Sequence, residues 1–177
     1  MKKSSSIFGW KVVRKNYGWK NFFIDSTLPL LISSILSLIM YIVDANVFLQ
    51  LKHLISIGIS IIPAMVALIL TAYTIMLTFI TGDKFSSIKK TIKGKKLILD
   101  LNSSFAACLF VSTISIIIMI FVSSIANLEI KINRPEIINY PIYFIVCYFL
   151  VYSVSILIGI VIDIFNSGQT VLINNED

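Results

Sequence analysis

The sequence predicts an all-α, polytopic membrane protein with four transmembrane helices and both termini cytoplasmic. Three observations carry that prediction. The first is composition: of 177 residues, 57% are hydrophobic and only 14% charged, where a soluble domain carries about a quarter charged residues. Mean hydropathy is +0.92. The second is distribution, because the apolar residues gather in four runs, Ser26–Val43, Leu54–Thr81, Ser103–Ala126 and Tyr140–Phe165. Each is near or beyond the ~20 residues that take a helix across a ~30 Å hydrocarbon core. The third is charge. Lys2, Lys3, Lys11, Arg14, Lys15 and Lys20 precede the first run, and Lys84, Lys89, Lys90, Lys93, Lys95 and Lys96 separate the second from the third. Only Lys52 falls between the first and second runs, and Lys131 and Arg134 between the third and fourth. The positive-inside rule then puts both termini and the middle connection in the cytoplasm. The net charge of +6 is thus a topology signal rather than a nucleic-acid signature, and the basic inner face suits anionic lipid or an acidic partner.

Residues 1–25 form a basic, aromatic segment in which Trp10, Tyr17, Trp19, Phe22 and Phe23 alternate with lysines and an arginine. Rings at the boundary and cations against phosphates suit a headgroup layer. Gly18 is expected to interrupt this segment. The first apolar run is longer than the ~7–15 residues of a signal-peptide core and is read as a span. A short outer connection, Asp44–His53, holds the only histidine, read as a solvated interface residue. The second run would reach about 42 Å as a helix, so it must tilt, extend or kink, and Pro63 supplies the expected kink.

Residues 82–102 are expected to form a basic cytoplasmic connection. Phe85, Ile88 and Ile92 make an apolar stripe within it, suited to the inner leaflet or to a partner, and Gly94 is expected to end that segment. The third run repeats small residues at Ser104, Cys108, Ser112, Ser115, Met119 and Ser123. Cys108 and Cys147 lack metal-ligand spacing and read as small buried hydrophobes. After the third run, Leu128, Ile130 and Ile132 alternate with charges over a short extended stretch at most. In the last run Asp163 is an intramembrane acid, a functional candidate by default unless it simply reaches the inner headgroups. The domain plan is therefore an interfacial segment 1–25, a four-helix domain 26–166, and a cytoplasmic tail 167–177. Val171, Leu172 and Ile173 offer a short docking element in that otherwise free tail.

No catalytic, cofactor or metal site is predicted. Asp25, Asp44, Asp83, Asp100, Glu129 and Glu136 are scattered, there is one histidine, and no glycine-rich phosphate loop is present; acid–base, nucleophilic and metal chemistry all need convergent groups. The strongest pattern is a line of small residues in the second run: Ser60, Ala64, Ala67, Thr71, Thr74, Thr78 and Thr81. Spacings of four and three put them on one helix face. Such a face lets helices approach closely in lipid, which would make the second span the central packing helix. Alternatively, copies gathered round an axis would turn the hydroxyls toward water as a pore of low charge selectivity. Both outcomes favour a homo-oligomer.

The lysine-rich segment Lys11–Lys20, the long second span Leu54–Thr81, the basic link Lys84–Lys96 and the short outer loops together cover most of the chain. In that plan the chain resembles the small four-helix membrane subunits of bacterial anti-phage systems, particularly that of Kiwa (KwaA-like). The resemblance implies a homo-oligomeric sensor or scaffold of the bacterial inner membrane, a tetramer being one arrangement open to it, that holds a DNA-binding cytoplasmic effector (KwaB-like). It carries over no catalytic residue, no cofactor and no direct contact with nucleic acid. Contacts with partner or membrane lipid are expected at Lys89, Lys90, Lys93, Lys95 and Lys96, with Val171, Leu172 and Ile173 as the second docking element.

Overall fold

A computed structural model describes residues 10–81, 91–126 and 135–173. They form four helices: α1 (Trp10–Ile42), α2 (Val47–Thr81), α3 (Ile92–Ala126) and α4 (Pro135–Ile173). Each contains a stretch long and apolar enough to cross a membrane: Asn16–Ile42, Val47–Thr78, Gly94–Ala126 and Ile137–Asn166. The all-α, four-span fold class is as the sequence predicts.

Two clusters of buried residues hold the bundle, one toward each end. Tyr17, Ile69, Phe105, Cys108, Tyr152 and Ile156 belong to the first; Leu51, Ile55, Ile62, Met119, Val146 and Cys147 belong to the second. Each helix therefore runs opposite to the one before it, and the start of α1, the end of α2, the start of α3 and the end of α4 share one end. α3 and α4 pack together in the middle, and both α1 and α2 pack against that pair while making little contact with each other. Cys108 and Cys147 are buried free thiols, filling the interior as small apolar groups.

Local chemistry explains where the helices begin. Asn46 caps α2, its side-chain oxygen accepting from the Leu49 amide at 3.1 Å, as an N-cap does. The outer connection expected over Asp44–His53 is consequently only a tight turn. Asp44 occupies the left-handed region there (φ 50°), and Lys52 and His53 lie on α2. Burial of Val47, Leu51 and Ile55 on one helix face draws this segment into the helix despite its polar residues.

Thr91 does the same for α3. Its hydroxyl accepts from the Gly94 amide at 3.0 Å, and its carbonyl accepts from the Lys95 amide at 3.1 Å. Gly94, expected to end a segment, instead sits in the first turn of α3, and residues 92–102 of the expected loop are helical. At the other terminus α4 continues to Ile173, so Val171, Leu172 and Ile173 form a last helical turn rather than part of a free tail. Gly18 does interrupt α1, with φ 76° and ψ 152°, a backbone region essentially confined to glycine. Pro63 lies within α2, which passes through it unbroken.

Candidate functional site

The two lines of small residues have opposite fates. On α3, Ser104, Cys108, Ser112, Ser115 and Met119 are all buried. Ser115 meets Ser153 of α4 hydroxyl to hydroxyl at 2.8 Å and donates to the Phe149 carbonyl at 3.0 Å. α3 is therefore the central packing helix of the single chain, in place of the second span. α2 enters that core through Leu51, Ile55, Ile62 and Ile69, and through Gly58 against Met119 and Leu150.

On α2 the line faces outward. Ser60, Ala64, Ala67, Thr71, Thr74 and Thr78 are exposed, and Thr81 is the last residue of the helix. At 3.6 residues per turn this stripe lies about half a turn from buried Ile62 and Ile69. Its hydroxyls are occupied at home: Ser60, Thr71, Thr74 and Thr78 each donate to the carbonyl four residues back, at 2.9 Å. The stripe thus presents a shallow, hydrogen-bonded channel, bordered by exposed Leu68 and Ile75 on one side and Leu70 and Leu77 on the other.

α1, the other flanking helix, offers a contrast. Its outward residues include Leu28, Leu31, Ile35, Leu38 and Ile42, long chains suited to lipid. α1 also exposes Thr27 and Ser34, but singly among long apolar chains; on α2 the small residues form a continuous outward line.

The end that gathers the basic segments carries a network absent from the sequence reading. The Tyr17 hydroxyl, on the short leg before Gly18, donates to Asp25. Ser104 of α3 donates to Asp163 of α4 at 3.1 Å, and Tyr73 of α2 donates to Asn102 of α3 at 2.6 Å. The Tyr152 hydroxyl makes a long contact, 3.4 Å, to the Phe22 carbonyl. These bonds tie all four helices at one level. Asp163 is therefore held by a neighbouring helix, and Asp25, read as one of several scattered acids, is a member of the same layer. Tyr17 packs edge-on against Phe22 across the kink at Gly18. Eight residues separate Tyr17 from Asp25 with the kink at Gly18 between them, so spacing along a regular helix gave no signal for the pair.

Of the expected partner contacts, Lys89 and Lys90 lie outside the described residues, as do Phe85, Ile88 and the stretch 128–132. Lys93 is in the first turn of α3, Lys95 and Lys96 are exposed just beyond it, and Val171–Ile173 end α4 at the same end of the bundle. Among the described residues no three His, Cys, Asp or Glu side chains converge to hold a metal. Compared with protein-family models, curated proteins and solved structures, the chain matches none of them.

Proposed function

We propose that the chain is a homo-oligomeric scaffold or sensor subunit of the bacterial inner membrane, which joins copies through the small-residue face of α2 and holds a cytoplasmic effector at its basic end. One observation carries this reading: α2 presents Ser60, Ala64, Ala67, Thr71, Thr74 and Thr78 outward as one continuous line, whereas on α1 the exposed Thr27 and Ser34 stand among leucines and isoleucines. In lipid there is no hydrophobic force between helices, and close backbone approach over small residues is a main source of association. Because the hydroxyls already bond within the helix, they can enter such a contact without an unsatisfied donor.

Orientation follows from charge. Lys20, Lys95 and Lys96 are exposed at the end shared by both terminal helix ends, and an excess of lysine marks the cytoplasmic side. That face, with Lys93 and the last turn of α4, is the docking surface for an acidic or apolar patch on an effector, in the anti-phage setting that the Kiwa-like plan implies. A second reading, a pore of low charge selectivity lined by Ser60, Thr71, Thr74 and Thr78, uses the same outward hydroxyls in an assembly around an axis.

Mild-detergent purification from the native operon, with subunit mass and co-purifying proteins measured together, tests the proposal. An oligomer carrying a soluble protein is expected. Ala67→Leu with Thr74→Leu should reduce it to single subunits, and reversing Lys93, Lys95 and Lys96 to glutamate should release the soluble partner. A wild-type monomer, or an oligomer unaffected by the α2 substitutions, overturns the assembly face. An oligomer without a partner that conducts ions, with conductance altered by Thr74→Leu, establishes the pore instead.

A further inference from the structure

At the end of the bundle opposite the basic segments, a groove of about 1010 Å³ opens between the start of α2, the end of α3 and the start of α4. Its polar residues are segregated. Asp44 and Asn46 in the α1–α2 turn and Asn139 and Tyr140 in the first turns of α4 line the mouth, whereas Leu51, Ile118 and Ile145 line the depth. The groove follows α3 from Ala126 to Ile118 and α4 from Pro135 to Ile145, roughly 12 and 15 Å at the helical rise. One leaflet of a ~30 Å hydrocarbon core has the same depth, about 15 Å.

Among the described residues, a carboxylate lines the mouth and an ammonium lies beside one of its walls. Asp44 lines it directly, and the Lys52 ammonium lies 4.8 Å from the ring centroid of Phe48, itself a wall residue. Lysine at this depth extends its stem along apolar surface and keeps its head at the boundary.

We propose that this groove binds a zwitterionic phospholipid of the surrounding leaflet, its acyl chain against Leu51, Ile118 and Ile145, its phosphate toward Lys52 and its ammonium toward Asp44. Depth, amphipathic lining and a balanced pair of charges select this occupant. Water has no partners along the apolar depth, and an anionic phosphatidylglycerol offers the Asp44 carboxylate only neutral hydroxyls and a net negative charge, with no cation to pair with it. An ammonium-bearing headgroup satisfies both charges at once.

The full-length protein, reconstituted in nanodiscs of equal phosphatidylethanolamine and phosphatidylglycerol and released for native mass spectrometry, tests this directly. Wild type should retain phosphatidylethanolamine over phosphatidylglycerol by about fivefold, the ratio expected of roughly one favourable charge contact near the surface. Asp44→Asn should bring that ratio close to one without lowering total retained lipid. Asparagine tolerates the left-handed backbone that Asp44 adopts, so the turn is preserved. Val122→Trp, which fills the middle of the groove, should remove most retained lipid of both kinds. Equal retention of the two lipids by wild type, an unchanged ratio in Asp44→Asn, or undiminished lipid in Val122→Trp would each overturn the proposal. So would a lipid-free dimer that Val122→Trp dissolves, since a second copy would then occupy the groove.

Discussion

Gly58 lets α2 approach the α3–α4 pair, and replacing it with alanine measures that approach. A β-carbon at Gly58 would lie 2.2 Å from Met119 Sδ, 2.7 Å from Met119 Cε and 2.9 Å from Leu150 Cδ1. All three distances are far inside van der Waals contact. Methionine can yield, but Met119 is fully buried and its displacement presses on a cluster that includes Ile55, Ile62, Val146 and Cys147. Overpacking of this kind costs about 1–3 kcal/mol. Alanine returns up to about 1 kcal/mol over glycine in a helix, leaving a net destabilisation of roughly 0–2 kcal/mol. Gly159 on α4 separates the two effects, because a β-carbon there meets nothing within 4 Å. Gly159→Ala should therefore stabilise the protein by the propensity gain alone. The difference between the variants, about 1–3 kcal/mol, reports the steric contact without needing the propensity value in lipid. Reversible unfolding in mixed micelles gives both free energies. Adding Met119→Val to Gly58→Ala should cost less than the separate losses combined, with a coupling of about 0.5–3 kcal/mol as expected for touching residues. Equal effects at Gly58 and Gly159, or additivity with Met119→Val, would refute the close approach of α2 to α3.

Three further outcomes follow from the same geometry. Gly18→Ala should destabilise the leg before the kink by roughly 1–3 kcal/mol through backbone strain at positive φ, seen as faster proteolysis before Trp19 while the four spans remain protected. In a double-mutant cycle, Ser115→Ala and Ser153→Ala should couple by about 0.6 kcal/mol and by no more than ~1.7, the measured range for hydrogen bonds between membrane helices; zero coupling in unfolding measurements would remove that bond from the core. Tyr17→Phe should deprive Asp25 of its donor and loosen the same leg by about 1–3 kcal/mol, detected as faster proteolysis before Trp19 with unchanged overall helicity.

Four spans were legible because apolar length acts over whole segments, and burial of individual residues does not alter it. Boundaries were less legible, since hydropathy marks where a helix meets lipid and not where it begins. Asn46 and Thr91 are ordinary capping residues, but the polar stretches after them, with Lys52, His53, Lys93, Lys95 and Lys96, resemble loops to a hydropathy reading. The two small-residue lines share one periodicity, and periodicity defines a face without naming its partner. Ser104–Met119 is buried because α3 lies between α1, α2 and α4; no local feature of α2 announces that its own line points away. Asp25 and Asp163 escaped joint recognition because they lie on the first and last helices, with two helices between them in the chain, and only the packing of the bundle brings their layer together.

The placement of the two faces on α2 makes folding and assembly separable. Gly58, Ile62 and Ile69 meet α3 and α4, while Ala67, Thr71 and Thr74 lie about half a turn away and make no packing contribution to either buried cluster. A bulky residue at Ala67 or Thr74 therefore has open space in the isolated subunit and a clash only against another molecule. Ala67→Leu and Thr74→Leu should leave the unfolding free energy of dissociated subunits within about 0.5 kcal/mol of wild type, as for substitutions outside the core, while lowering subunit mass in mild detergent. Gly58→Ala should do the reverse, weakening the bundle without changing the stoichiometry of what remains folded. If the α2 face substitutions unfold the single subunit as severely as Gly58→Ala, the outward line belongs to the fold, and close packing between copies loses its physical basis.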